Sequence, residues 1–266
     1  MRDMALGQYY PSDSILHVLD PRVKFIGTLV YICALFVVDG PFGYAFCAAF
    51  LFMMIVLSRV PFRLILKSLQ PIIFIMIITM LFNVFLTPGE VLWKWSIFKI
   101  TREGIVLAVR MGIRLMLLVS GSSIMTLTTT PNALTDGMEN LFGFLTYIKV
   151  PVHEIAMMMS IALRFIPILM EETDKIRMAQ IARGADFEGG NFLKRMRNMI
   201  PLLVPLFVSA FRRANDLALA MEARCYHGGE GRTQMKPLHY QKHDFIAYLV
   251  ILGFLAVCIL LGVKRL

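Results

Sequence analysis

Charge is scarce in this chain: 17% of its 266 residues are Asp, Glu, Lys or Arg, against about 25% in soluble domains. Hydrophobic residues make up 58%, and the mean hydropathy is +0.68. This balance excludes an ordinary soluble enzyme and points to a bilayer protein. Cysteine is also sparse, with four in all. Cys33, Cys47 and Cys258 sit in apolar runs, where a thiol packs as a small hydrophobe, and Cys225 lies in a charged stretch, so no disulfide framework is expected. The first 24 residues are polar and broken by Pro11 and Pro21, and without an apolar core they predict no cleavable signal peptide.

Catalytic signatures are missing as well. No GxxxxGK[ST] phosphate loop occurs: at Gly228–Thr233 the tail is similar, but Tyr226 stands where the first glycine belongs and Arg232 replaces the lysine. His153-Glu154 is not HExxH, because residue 157 is Met. Cys225, His227, His239 and His243 are split by a Gly/Pro-containing loop, a poor arrangement for zinc. The expectation is a chain with no catalytic residues, no metal and no cofactor of its own, and no ATP hydrolysis by itself.

What is present are long apolar runs near the 17–25 residues that a helix needs to cross a bilayer, the first of them short but flanked by Arg22 and Lys24, which can snorkel at its start. Four are well delimited: Val23 or Phe25 to Val38, Pro41 to Leu57, Leu64 to Leu86, and Phe245 to Val263. A fifth crossing falls between Gly104 and Thr130 and carries Arg110 and Arg114 at i, i+4, on one helical face. Two readings stand for that pair. The arginines face the bundle interior, where intramembrane charge marks function, or they belong to an interfacial stretch and snorkel, leaving Leu115–Thr130 as the span. The fold class expected is an all-α membrane protein with about five transmembrane helices plus a cytoplasmic helical domain.

Flanking charge sets the expected orientation. Arg2, Arg22 and Lys24 precede the first span, and Arg59, Arg63 and Lys67 join the second to the third. The positive-inside rule places both groups in the cytoplasm; Lys94, Lys99, Arg102, Lys264 and Arg265 argue the other way. With five crossings the N-terminus lies inside and the C-terminus outside.

Residues 131–244 differ from the rest. They hold 14 basic and 12 acidic residues, whereas the remainder carries most of the chain's net charge of +9. Near-balance suits a folded helical block better than a tail for nucleic acid. The block reads as helices interrupted by Pro131, Pro151, Pro167, Pro201 and Pro205. Its Met-rich apolar stretches predict helices lying along the membrane or under a partner, or an internal helical core.

Two stretches in the block echo each other. Met178-Ala179-Gln180-Ile181-Ala182-Arg183-Gly184 and Leu219-Ala220-Met221-Glu222-Ala223-Arg224-Cys225 both place Ala one and four residues before an Arg, and an apolar residue five before it. The geometry expected is two helices ending in Arg, each with a small-residue face and a glycine-rich exit. Small faces let another protein approach closely, and a guanidinium fork grips carboxylates bidentately. The alternative is two arginines that merely satisfy helix dipoles.

These features together resemble the transmembrane T component of energy-coupling factor (ECF) transporters, the family of the cobalt-transport permease. Ser14-Ile15-Leu16-His17-Val18-Leu19-Asp20-Pro21-Arg22-Val23-Lys24 is similar to its S-x-L-H-x-L-D-P-R-x-K signature. Ile100-Thr101-Arg102-Glu103-Gly104 is similar to its I-T-x-E-G motif before the fourth span, and the two Ala-Arg-x stretches to its paired coupling motifs. The resemblance covers essentially the whole chain. It implies a non-catalytic scaffold whose coupling residues are Ala182, Arg183 and Gly184 in one motif and Ala223, Arg224 and Cys225 in the other, supported by Ala179 and Ala220. It further implies two ABC-type ATPase subunits that bind ATP and Mg, and a small membrane subunit that captures a vitamin or metal. The layout is 1–130 for the tail and four spans, 131–244 for a cytoplasmic coupling domain, and 245–266 for the last span, in the cell membrane. Cys225 departs from the family's usual glycine, which puts the exit geometry of the second motif in question. A conventional ABC permease lining its own path, and a polytopic membrane enzyme, remain the rival readings.

Overall fold

In the computed structural model, residues 9–95, 98–187, 189, 191–228, 235 and 237–263 are described. In chain order the elements are α1 (Ile15–Val18), α2 (Pro21–Val37), α3 (Pro41–Ser58), α4 (Phe62–Leu86), β1 (Val91–Trp95), β2 (Phe98–Thr101), α5 (Arg102–Thr128), α6 (Pro131–Phe142), a 3-10 turn (Gly143–Ile148), α7 (Val152–Ala182), α8 (Phe192–Ala223) and α9 (Lys242–Val263). The protein is an all-α membrane protein with one short antiparallel ribbon, β1–β2, whose register is irregular between Val91 and Trp93. Two compact units form: Met1–Gly137 with Leu238–Leu266, and Met138–Pro237.

The first unit is built around α2, α3, α5 and α9. Its core runs through Tyr31, Leu35, Cys47, Leu117, Ile124 and Phe254, with the Phe50 and Phe254 rings stacked 4.2 Å apart. α4 enters that core only at its start, through Ile65 with Leu64 against it, and otherwise packs along α5. Only Ile65 is buried on it, while Phe74, Leu81 and Leu86 stand more than half exposed, as a lipid-facing helix does. The α4–α5 approach is close because Gly104 has no Cβ: one there would lie 2.9 Å from the carbonyl oxygens of Asn83 and Val84. Thr101 caps α5 by accepting the Gly104 N–H at 3.1 Å while donating to the Thr87 carbonyl at 2.9 Å. Glu103 accepts the Glu90 N–H at 2.8 Å. The Ile100–Gly104 motif is thus a helix cap that also anchors the preceding loop.

The Ser14–Lys24 signature is likewise a structural knot. The Asp20 carboxylate caps α2 by accepting the Arg22 N–H at 2.8 Å. Asp244, buried at the start of α9, takes the Asp20 N–H at 2.9 Å and the Gln241 N–H at 2.7 Å. Lys24 Nζ donates to the carbonyls of His17 at 3.2 Å and Thr128 at 3.0 Å, the latter at the carboxyl end of α5, where a cation is favoured. Arg22 donates to the Leu238 carbonyl at 2.9 Å and lies 4.9 Å over the Tyr240 ring. His17 Nε2 sits 2.9 Å from the Tyr10 carbonyl, so that nitrogen carries a proton; in the neutral ring Nδ1 then accepts from Ser14 Oγ at 2.7 Å.

Five helices are long and apolar enough to cross a membrane: α3, α4, α5, α7 and α9. Four coincide with expected spans. The first expected span, α2, has 17 residues, the lower limit for a crossing, and α7 adds a helix of spanning length from within the charged block. Proline interruption of that block holds at Pro131, which starts α6, and at Pro151, the N-cap of α7, but not at the other three prolines. Pro167 lies inside the 31-residue α7, and Pro201 and Pro205 lie inside the 32-residue α8. A proline forfeits one backbone bond and strains the preceding turn, yet the remaining bonds of a long helix continue on both sides.

Candidate functional site

The second unit presents its two Ala-Arg segments at the ends of its two long helices. α7 ends at Ala182. Arg183 is the C-cap residue, and Gly184 turns left-handed with φ 86°. The Gly184 N–H donates to Ile181 O at 2.9 Å and the Ala185 N–H to Gln180 O at 2.9 Å. This pair of bonds is the Schellman closure, which satisfies carbonyls that the helix would otherwise leave open.

α8 closes the same way one residue after another. Cys225 donates to Glu222 O at 2.9 Å and Tyr226 to Met221 O at 3.0 Å. Cys225 carries the left-handed turn with φ 58°, a conformation that costs a non-glycine residue about 1–2 kcal/mol. The question raised by cysteine in the glycine position therefore has a structural answer: the exit geometry is kept, at the expense of backbone strain. Of the glycines after the first motif, Gly189 is described and Gly190 is not; after the second, Gly228 has φ 107°, and Gly229 and Gly231 lie outside the described residues.

Both ends are bare on the chain itself. Ala179, Ala182, Arg183, Gly184, Ala220, Ala223, Arg224 and Cys225 are all exposed. Met178 and Leu219, the apolar residues five before each Arg, are 65% and 64% exposed. Among the described residues neither Arg183 nor Arg224 has a carboxylate within ion-pair distance.

Behind these ends α7 and α8 form an antiparallel pair. Gln180 donates to the Pro201 carbonyl at 3.3 Å, and Arg213 pairs with Glu172 at 3.4 Å. From the Glu172–Arg213 tie, each Arg motif lies eleven residues along its own helix, and the two helices run in opposite directions. At 1.5 Å per residue the motifs end up on the order of 30 Å apart, at opposite ends of the pair. An antiparallel pair has a local pseudo-two-fold axis, and here that axis relates two caps of the same sequence and the same backbone geometry.

Arg110 and Arg114 are elsewhere, in the first unit. Both reach Asp39 Oδ1 at 3.7 Å, in the turn between α2 and α3. Arg114 also lies 5.4 Å over the Phe36 ring and 5.8 Å over Tyr44. Arg110 is partly open and Arg114 mostly covered. Both are tethered to the same turn. Their contact sets the α2–α3 turn roughly two to three helical turns along α5 from its start. In the second unit His153 pairs with Glu139 at 2.7 Å rather than with its neighbour Glu154. Among the described residues no group of three His, Cys, Asp or Glu stands together as a metal site.

Sequence comparison agrees with this layout. The family model described as cobalt transport protein matches residues 12–235. The energy-coupling factor transporter transmembrane protein EcfT of Acidaminococcus fermentans is 51% identical over 253 residues, covering 95% of this chain and 94% of its own. The protein of the same name from Clostridium kluyveri is 51% identical over 262 residues, 98% of this chain and 97% of its own. That of Bacillus subtilis is 45% identical over 258 residues, 96% and 97%. A match spanning both the bundle signature and the two Arg-ended helices shows that the chain belongs to the cobalt transport protein family, as one of the transmembrane proteins of energy-coupling factor transporters.

Proposed function

We propose that this chain is the coupling scaffold of its transporter: it receives motion from two ABC-type ATPase subunits through Arg183 and Arg224 and passes it to a small membrane subunit that captures a vitamin or metal. ATP and Mg belong to the ATPases, and this chain is not an enzyme. The observation that carries the reading is the repeated bare cap, two exposed Ala-Arg helix ends of one geometry at opposite ends of one antiparallel pair. Two like sites related by a pseudo-two-fold suit a partner made of two like subunits. The short Ala side chains admit a groove wall close to the helix, and each guanidinium, unpaired by any described carboxylate of its own chain, supplies a fork for acidic groups on the partner.

The long helices suit transmission. Thirty-one and thirty-two residues of continuous helix act as levers of about 46–48 Å, and the Glu172–Arg213 tie makes a displacement at one end felt along the pair. The charge-balanced segment and the N-terminus lie on the cytoplasmic side in this reading, where the ATPases are.

Co-purification with the ATPase pair tests the proposal, comparing wild type with Arg183→Glu, Arg224→Glu and the double change, and scoring substrate uptake in the same cells. Loss of the ATPases together with uptake in the double variant is the expected result. Retained ATPases with normal uptake would reduce both motifs to helix ends and favour a permease.

A further inference from the structure

The first unit contains a cavity that the coupling role does not use. It is ≈ 360 Å3 in volume and lies among α1, α2, α3, α5 and α9, within the size range of ligand pockets. Its floor is kept deep by small residues, Gly27, Gly121 and Ala247. Its rim is apolar and open: Ile15, Met53, Leu57, Ile246 and Val250 line it and are 40–63% exposed. Ile15, Leu57 and His243 also line a second, polar cavity of ≈ 570 Å3 that includes Ser12, His17 and Arg59. The two cavities therefore adjoin at Ile15, Leu57 and His243, an apolar groove beside a polar mouth.

The mouth offers cationic character. Arg59 ends α3 in a left-handed turn with φ 54°, which swings its side chain out, where Nη1 meets the Asp13 carbonyl at 3.2 Å. No carboxylate pairs with Arg59 among the described residues, and the exposed His243 lines both cavities. Asp20 and Asp244, the buried carboxylates nearby, already accept backbone N–H groups; Asp13 is the one exposed carboxylate on the mouth.

The lining is almost wholly apolar and its rim stands open, which suits a slender apolar chain, and a groove open to the bilayer meets acyl chains at high concentration. We propose that this groove holds one acyl chain of an anionic phospholipid, with the headgroup phosphate at Arg59 and His243. The lipid fills the space among α2, α3, α5 and α9, the helices that make the core, on the membrane face that carries the Ser14–Lys24 knot. The site is independent of the coupling reading.

The test is native mass spectrometry of the full chain in detergent, delipidated and titrated with palmitoyl-oleoyl phosphatidylglycerol or with the phosphatidylcholine of the same chains. A single saturable phosphatidylglycerol adduct is expected. Ala247→Phe fills the floor and weakens it about tenfold, whereas Leu252→Phe, on the exposed face of α9 outside the groove, leaves it unchanged. Arg59→Gln lowers the affinity for phosphatidylglycerol to that for phosphatidylcholine, a loss of about fivefold. Thr28→Leu, a second filling variant on α2, gives the same loss as Ala247→Phe and replaces it if that protein fails to fold. Adducts that accumulate without saturating, or that are identical in wild type and both filling variants, overturn the proposal. So does a filling variant that sheds partner subunits from the assembled transporter while keeping the lipid adduct, since the groove would then be a protein contact.

Discussion

The Ser14–Lys24 knot and the two Ala-Arg helix ends are equally patterned as sequence, yet they solve opposite problems. In the knot, Ser14, His17, Asp20, Arg22 and Lys24 each find a partner within the chain, and Asp244 brings the start of α9 into the same network. At the helix ends the backbone is fully closed by Schellman bonds, but Arg183 and Arg224 end in solvent with no described carboxylate beside them. A satisfied motif holds a fold. A motif with an ordered backbone and a side chain in solvent leaves that side chain open to something outside the chain.

Four measurements would break or sharpen that contrast. The largest effect falls on the helix ends. Each of Arg183→Glu and Arg224→Glu weakens ATPase binding by about 30-fold or more, and the double change weakens it far beyond either because the remaining contact no longer tethers the complex. The unfolding temperature of the isolated chain stays put in all three, and a drop there would mean the arginines are structural after all. In the knot the pattern reverses. Asp244→Ala strands the buried Asp20 N–H, leaves the exposed Gln241 N–H to water and costs about 1–3 kcal/mol of stability, read as a lower unfolding temperature in detergent. An unchanged unfolding temperature would show that the network is idle.

Smaller effects concern the details. Cys225→Gly relieves the left-handed strain and stabilises the second unit by about 1 kcal/mol with ATPase binding unaltered, visible as slower amide exchange through the last turn of α8. Faster exchange would mean that the thiol side chain holds the turn. Asp39→Asn removes the shared carboxylate of Arg110 and Arg114. Because Asp39 is more than half exposed, solvent screening limits the loss to about 0.5 kcal/mol, and added salt should erase the difference from wild type.

Much of the bundle was legible in the sequence because membrane spans are announced by composition and length. Pro41 and Leu86 mark helix boundaries in both readings, and Gly104–Thr130 is displaced by only two residues from α5. Legibility failed where chemistry is local but the outcome is not. Pro167, Pro201 and Pro205 look like breakers, yet whether a helix tolerates them depends on the rest of that helix. The spacing of Arg110 and Arg114 fixes a shared face, while their partner Asp39 is about seventy residues away and carries no spacing signal. The β1–β2 ribbon was missed for a related reason, since a basic, tryptophan-bearing stretch between two spans reads as a loop until its strands pair. At the candidate site, alanine and arginine spacing suggested helix ends, and Gly184 is a recognisable left-handed cap. Nothing in the residue type of Cys225 says that it adopts the same turn; only its position after an equivalent helix does.

The shortness of α2 and α3 has a consequence for the surrounding lipid. At 17 and 18 residues they measure about 26 and 27 Å, against a hydrocarbon thickness of about 30 Å, while α4 and α5 at 25 and 27 residues exceed it. Helices so unequal meet the same hydrocarbon layer by different means, the short pair by snorkelling of flanking residues or local thinning and the long pair by tilting, each at a fraction of a kcal/mol per Å of mismatch.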